Sequence, residues 1–166
     1  MENEHLLPPD LLDLARQVIS TNREAGRKVV LAESCTGGLV AAALTEIPGS
    51  SAVLDRGFVT YSNEAKMEAL GVSREIIETF GAVSIACVWA MAKGALDRSS
   101  ADVAIAISGV AGPDGGSIHK PVGTVVFARV TRDSEAKPEG ELKHFDGPGR
   151  AAIRHAAVRC GLELLL

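Results

Sequence analysis

Ser34 and Cys35 stand where a protein chain most readily does hydrolytic chemistry. They lie in the run Leu31-Ala32-Glu33-Ser34-Cys35-Thr36-Gly37-Gly38, where an apolar stretch from Val29 to Ala32 stops at small hydroxyl, thiol and glycine residues. An alanine-rich helical pattern follows. This is the pattern of a strand feeding a tight turn into a helix N-terminus. Unsatisfied N–H groups converge at such a turn, and the helix dipole adds about half a positive charge. A serine there is either a nucleophile with its oxyanion donors already in place or a plain N-cap. Cys35 is the rival nucleophile, because a helix N-terminus favours a thiolate. No histidine lies near it in sequence.

Two further segments fall at the ends of expected strands. The first is Tyr61-Ser62-Asn63-Glu64-Ala65-Lys66 and the second is Ser108-Gly109-Val110-Ala111-Gly112-Pro113-Asp114-Gly115-Gly116. In open α/β sheets, ligands bind beyond the carboxyl ends of strands, so three polar or glycine-rich segments there point to one shared site. Tyr61 reads as an amphipathic rim residue or as a functional hydroxyl. Asn63 reads as an N-cap for the helix after it, or as a site residue. A lysine such as Lys66 is ordinarily solvated, but its spacing from Tyr61 and Asn63 sets it apart. Gly109, Gly112, Gly115 and Gly116 allow positive φ and close backbone approach, as phosphate and ribose sites require. The loop is not a P-loop, since the Gly-Lys-Ser/Thr ending is missing. Asp114 reads as a turn former, and Ser108 as a hydroxyl contact to substrate.

The elements that must hold these segments alternate between helical and strand patterns. Pro8 and Pro9 open an amphipathic helix with Leu11, Leu12, Leu14, Ala15, Val18 and Ile19 at helical spacing, ending near Gly26. Strands are expected over 29–33, 57–61, 103–108, 122–130 and, at an edge, 142–145. Helices are expected over 37–47, 63–70, 73–80, 84–98 and from Arg150 to the C-terminus. The run 103–108 is almost wholly apolar, which suits a central strand buried on both faces. The polar stretch 131–140, with Pro138, reads as an exposed turn closing an antiparallel hairpin. The expected fold is therefore α/β: a single-domain, three-layer α/β/α sandwich over residues 1–166 with a mixed, mostly parallel sheet. In the helix over 84–98, Val88 and Trp89 face away from the small-residue stripe, which suggests a homo-oligomer.

Composition excludes several classes. A chain of 166 residues can bury one full core, and its net charge of -4 leaves no electrostatic footprint for nucleic acid. No apolar run reaches the roughly 20 residues a transmembrane helix needs. The acidic start, Met1-Glu2-Asn3-Glu4, lacks the basic and apolar regions of a signal peptide. Cys35, Cys87 and Cys160 are far apart, and His5, His119, His144 and His155 are scattered. Neither set has metal-ligand spacing, and an odd cysteine count argues against a disulfide framework. Cys87 and Cys160 lie on inner helix faces and read as core residues. A reducing cytoplasm, with no metal, no cofactor, no nucleic acid and no membrane partner, fits these features.

Together the three segments resemble the CinA C-terminal-domain family and its stand-alone nicotinamide-nucleotide amidases. The resemblance rests on Ala32 to Gly38, on Gly57-Phe58-Val59-Thr60-Tyr61-Ser62-Asn63 with Lys66, and on Ser108 to Gly116 with Lys120-Pro121-Val122-Gly123-Thr124. It covers roughly residues 10 to 160. It implies hydrolysis of the carboxamide of nicotinamide mononucleotide to nicotinate mononucleotide and ammonia. It also implies a Ser34 nucleophile assisted by Lys66 and Tyr61, without metal.

Under that resemblance the N–H groups of Cys35, Thr36, Gly37 and Gly38 would hold the oxyanion. To act as base, Lys66 would have to lose much of its ordinary proton affinity through burial. Glu33 would raise that affinity if it paired with Lys66, so it is expected to orient backbone instead. Tyr61 would relay a proton, and the sequence leaves open whether neutral lysine or a tyrosinate is the base. Where the family carries Gly-Asp-Arg, this chain reads Gly147-Pro148-Gly149-Arg150, with the aspartate missing and one residue added. Arg150 is expected to clamp the phosphate, and Arg154, one turn later, reads as structural. The alternative is a non-catalytic nucleotide-binding regulatory module of the competence/damage type. A binding module would not need Ser34, Tyr61 and Lys66 together. A third reading, a thiol hydrolase, places the chemistry on Cys35.

Overall fold

The register between neighbouring strands explains how this chain assembles a site. The computed structural model describes residues 4–133, 135 and 137–166. Met1, Glu2 and Asn3, part of the acidic start, and residues 134 and 136 of the polar turn lie outside the described residues. The elements are α1 (Pro9–Glu24), β1 (Val29–Glu33), α2 (Leu39–Thr45), β2 (Leu54–Val59), α3 (Asn63–Leu70), α4 (Arg74–Phe80), α5 (Ile85–Asp97), β3 (Val103–Gly109), β4 (Thr124–Thr131), β5 (Glu139–His144) and α6 (Arg150–Glu163), with a short 3-10 turn at Ser50–Ala52. The five strands form one sheet in the order β2-β1-β3-β4-β5. β1 pairs in parallel with β2 and β3, while β4 runs antiparallel to both β3 and β5. The sheet is mixed as expected, with only β4 reversed.

Alternation along the buried strands sorts the core into two layers. Val29, Leu31, Val103, Ile105, Ile107, Val125 and Phe127 face one cluster with residues of α1, α2 and α6. Val30, Ala32, Ala104, Ala106, Val126 and Ala128 face the other, with α5 and the ends of α3. The second face is mostly alanine, so α5 lies close against the sheet. Gly94 carries this closeness further: a Cβ there would stand 1.9 Å from the Leu70 carbonyl oxygen, at the end of α3. Helix α3 carries Lys66, so the Gly94 contact sets the depth at which that side chain enters the site.

Several boundaries differ from the sequence expectation. β2 starts at Leu54 and ends at Val59, and β5 begins at Glu139. Both are edge strands with half-exposed, polar residues, so the apolar signal understates their length. α2 starts only at Leu39 because Gly37 and Gly38 adopt φ of 59° and 94°. Val88, expected to face outward, is buried in the core, and Trp89 is left on the surface. Ser84, Ser73 and Ser62 cap α5, α4 and α3, each accepting an N–H bond through its hydroxyl. The cap of α3 is therefore Ser62, and Asn63 is free to face elsewhere. No helix among the described residues is long and apolar enough to cross a membrane.

Candidate active site

Parallel pairing brings Glu33 of β1 opposite Val59 of β2 and Ile107 of β3. The next residues, Thr60, Ser34 and Ser108, therefore stand in a row across three adjacent strand ends. The ladder continues into this row, since Thr60 N donates to Glu33 O at 2.9 Å and Ser34 N to Ile107 O at 2.9 Å. Ser34, Thr60 and Ser108 are all buried. A cavity of about 340 Å³ opens beyond the row, at the carboxyl ends of the parallel strands.

Lys66 reaches into this row from α3 with only 1% of its surface exposed. Its Nζ lies 3.0 Å from Ser34 Oγ, 2.8 Å from the Thr60 carbonyl oxygen and 3.2 Å from the Tyr61 carbonyl oxygen. Carbonyl oxygens only accept, so they orient two N–H bonds of the amine toward themselves. A neutral amine then has its lone pair left for the Ser34 hydroxyl proton. An ammonium has all three donors satisfied by the same three oxygens. Burial holds the Lys66 amine below the usual lysine range, against an opposing pull from the nearby Cys87 and Cys35 thiols.

Glu33 makes no bond to Lys66. Its Oε2 accepts from Gly38 N (3.0 Å) and Val40 N (3.2 Å), and its Oε1 from Ala41 N (2.9 Å). A carboxyl from the strand thus caps the start of α2 in place of a serine. This has a consequence for the expected oxyanion donors. Gly37 N donates to Ser34 O and Gly38 N to Glu33, so neither is free. Among the described residues neither the N–H of Thr36 nor that of Cys35 has a backbone acceptor.

Cys35 lies 5% exposed beside Ser34. Burial pushes its thiol up to about 11, outweighing its own N–H and the Arg154 guanidinium, which pull downward. A thiol in that state is a poor nucleophile near neutral pH, contrary to the expectation of a favoured thiolate. Cys87 and Cys160 are free and buried, as core residues.

Tyr61 is 61% exposed. Its carbonyl serves Lys66, while its hydroxyl accepts a 2.8 Å bond from Arg150 Nη2. Arg150 Nη1 donates to the Gly112 carbonyl oxygen at 2.7 Å. The altered loop before α6 therefore still delivers Arg150 to the cavity, where it ties the Tyr61 segment to the glycine-rich loop.

Of the other expected residues, Asn63, Ser108, Gly109, Gly112, Gly115 and Gly116 line the cavity. Glu33, Thr36, Gly37, Gly38 and Pro113 stand behind it, in the supporting turn and loop. Gly112, Gly115 and Gly116 have positive φ, whereas Gly109 is the last residue of β3.

The chain's relatives agree with this architecture. The model of the CinA C-terminal domain matches residues 11–166. The chain belongs to the CinA C-terminal domain family. Within that family it is 49% identical over 156 residues to the nicotinamide-nucleotide amidohydrolase PncC of Escherichia coli K12, covering 94% of this chain and 93% of that protein. It is 47% identical over 162 residues to a CinA-like protein of Akkermansia muciniphila, covering 98% of this chain but 38% of that longer protein. The crystal structure of the competence/damage inducible protein CihA from Agrobacterium tumefaciens superposes with a TM-score of 0.92 at 51% identity, covering 97% of this chain and 96% of that one.

The sequence reading of this CinA domain missed Ala82 and Val83, which wall the cavity between α4 and α5. Gly81, ending α4, is the only local hint that this segment leaves its helix. It also missed Thr60, whose contribution is a carbonyl that any residue type supplies.

Proposed function

We propose that this chain hydrolyses the carboxamide of nicotinamide mononucleotide to nicotinate mononucleotide and ammonia. The observation that carries the proposal is Lys66 Nζ at 3.0 Å from Ser34 Oγ, with two carbonyls holding the amine's other donors. The 49% identity to a nicotinamide-nucleotide amidohydrolase over nearly the whole chain supports the choice of substrate.

In this reading Ser34 Oγ adds to the amide carbon as its proton passes to Lys66 Nζ. The tetrahedral intermediate collapses, the C–N bond breaks, and Lys66 returns the proton to the departing nitrogen, releasing ammonia. Water then attacks the acyl-serine ester while Lys66 takes one of its protons. Collapse frees the carboxylic acid and restores the Ser34 hydroxyl. The alternative base, a Tyr61 phenolate, has less support, because Ser34 Oγ bonds to Lys66 Nζ while the phenol bonds to Arg150.

The test is ammonia release from nicotinamide mononucleotide by the wild-type chain, Ser34→Ala and Cys35→Ala. Turnover should fall by roughly 10³-fold or more in Ser34→Ala, with ligand binding retained, and persist in Cys35→Ala. Loss only in Cys35→Ala would move the chemistry to the thiol. Binding without turnover in the wild type would favour a regulatory nucleotide-binding module.

A further inference from the structure

We propose that the free edge of β5 pairs with β5 of a second copy of this chain, antiparallel about a two-fold axis at Leu142. None of the strand's residues lines the catalytic cavity, so each copy keeps its own site.

β5 ends the sheet, and all its residues except the half-buried Lys143 are exposed. In an antiparallel ladder, successive residues turn their N–H and C=O groups to opposite sides of the strand. Phe145 N donates to Gly123 O at 2.9 Å, so Phe145 faces β4, and with it Lys143, Glu141 and Glu139. The far side of β4 gives the same parity. Val110 N donates to Thr124 O at 2.9 Å, so Thr124, the partner of His144, faces β3. Gly140, Leu142 and His144 therefore direct their backbone groups away from the sheet. No loop or turn carbonyl among the described residues accepts from them.

An open edge is a template for any strand, and charges on it ordinarily discourage pairing. Here the charges select one partner and one register. Glu141 and Lys143 lie on the same face of β5, with Oε1 and Nζ 3.4 Å apart. Pairing about Leu142 sets Leu142 opposite Leu142 of the second copy, and Gly140 opposite His144 of the second copy. Each such outward-facing pair exchanges two backbone bonds. The same register places Glu141 opposite Lys143 of the second copy, and Lys143 opposite its Glu141. Sliding the second copy by two residues in either direction sets Glu141 against Glu141 or Lys143 against Lys143, which is unfavourable. The charge pattern of the strand is thus complementary to itself in a single alignment, as a two-fold interface requires.

The apolar residues agree. Leu142 is opposite Val126, whose side chain faces the α5 layer of the core, so Leu142 lies on that face and is 53% exposed. Ile85 of α5 sits over Gly140 on the same face, where a Cβ on the glycine would stand 2.8 Å from its Cγ2, and is itself 40% exposed. The two-fold brings both Leu142 side chains together there and removes them from water.

The experiment measures self-association by sedimentation over a concentration series, with urea unfolding as a check on folding. It compares wild type, Glu141→Lys, Lys143→Glu and the double exchange Glu141→Lys/Lys143→Glu. The wild type should dimerise. Each single change sets like charges opposite each other twice and should raise the dimer Kd by roughly tenfold or more. The double exchange restores opposite charges and should return Kd to within about threefold of wild type. Amide hydrogen exchange should slow at Gly140, Leu142 and His144 as the concentration rises. A wild type that stays monomeric would overturn the proposal. So would a dimer indifferent to the single changes, or one not recovered by the double exchange. Protection at β2, the other edge, with none at β5 would place the interface there and also overturn it. If one single variant does not fold, the other decides by the same criteria.

Discussion

Lys66 Nζ and Ser34 Oγ stand 3.0 Å apart, although they come from α3 and from the end of β1. The contact exists because three levels of structure agree. Strand register puts Ser34 and Thr60 side by side, a serine cap starts α3 at the next turn, and Gly94 lets α5 hold that helix against the sheet. The amine arrives with two carbonyls already assigned to its N–H bonds, so its remaining valence is directed at the serine.

The first prediction concerns pH. Burial holds the Lys66 amine below the ordinary lysine value, and only its neutral form can take the Ser34 proton. kcat/KM should therefore rise with pH through the Lys66 ionisation, at a pH below that of a free lysine. Lys66→Arg should be inactive throughout, since a guanidinium stays protonated. The same depression has a sign for stability. Between the folded and unfolded pKa the unfolded chain holds a proton that the folded chain lacks, so stability rises with pH across that window. Urea unfolding over a pH series should show this slope in the wild type and lose it in Lys66→Met.

A second prediction tests the packing that positions the amine. Gly94→Ala would place a Cβ 1.9 Å from the Leu70 carbonyl oxygen, which is backbone and must move. The expected cost is about 1–3 kcal/mol from forced displacement of α3 against α5. Urea midpoints measure that cost. Turnover should fall in the same variant, because α3 carries Lys66. A Gly94→Ala chain with wild-type stability and kcat would mean that the two helices part without disturbing the base.

The third prediction concerns the cavity rim. Arg150 bonds the Tyr61 hydroxyl and the Gly112 carbonyl at the cavity, and under the proposed function its guanidinium would meet the nucleotide phosphate. Arg150→Met should raise KM for nicotinamide mononucleotide by roughly tenfold or more, from loss of a charge-assisted contact of about 1.5–3 kcal/mol. It should leave KM for the riboside, which lacks the phosphate, nearly unchanged. Equal effects on both substrates would assign Arg150 to shaping the loop instead of binding phosphate.

Edge strands and backbone partners are where reading by residue type ran short. β2 and β5 extend beyond their apolar residues because an edge needs hydrogen bonds to one neighbour, not a continuous buried face. Thr60 and Tyr61 serve Lys66 through their carbonyls, which carry no side-chain signature. Cys35 looked activated because a turn before a helix gathers N–H groups. Once Glu33 had capped that helix and the core had closed over the thiol, burial outweighed them.

The order of strands and helices, the buried character of β3 and the three segments that converge on the site were determined by the sequence alone. Apolar periodicity and glycine or proline punctuation act locally, over a few residues, and so can be read locally. Which atom of each residue is used was decided only by the tertiary structure. Tyr61 could have offered its phenol or its carbonyl to Lys66, and Glu33 could have paired with an amine or with the start of α2. Strand register, helix depth and burial choose among these options, because they set distances between residues far apart in the chain.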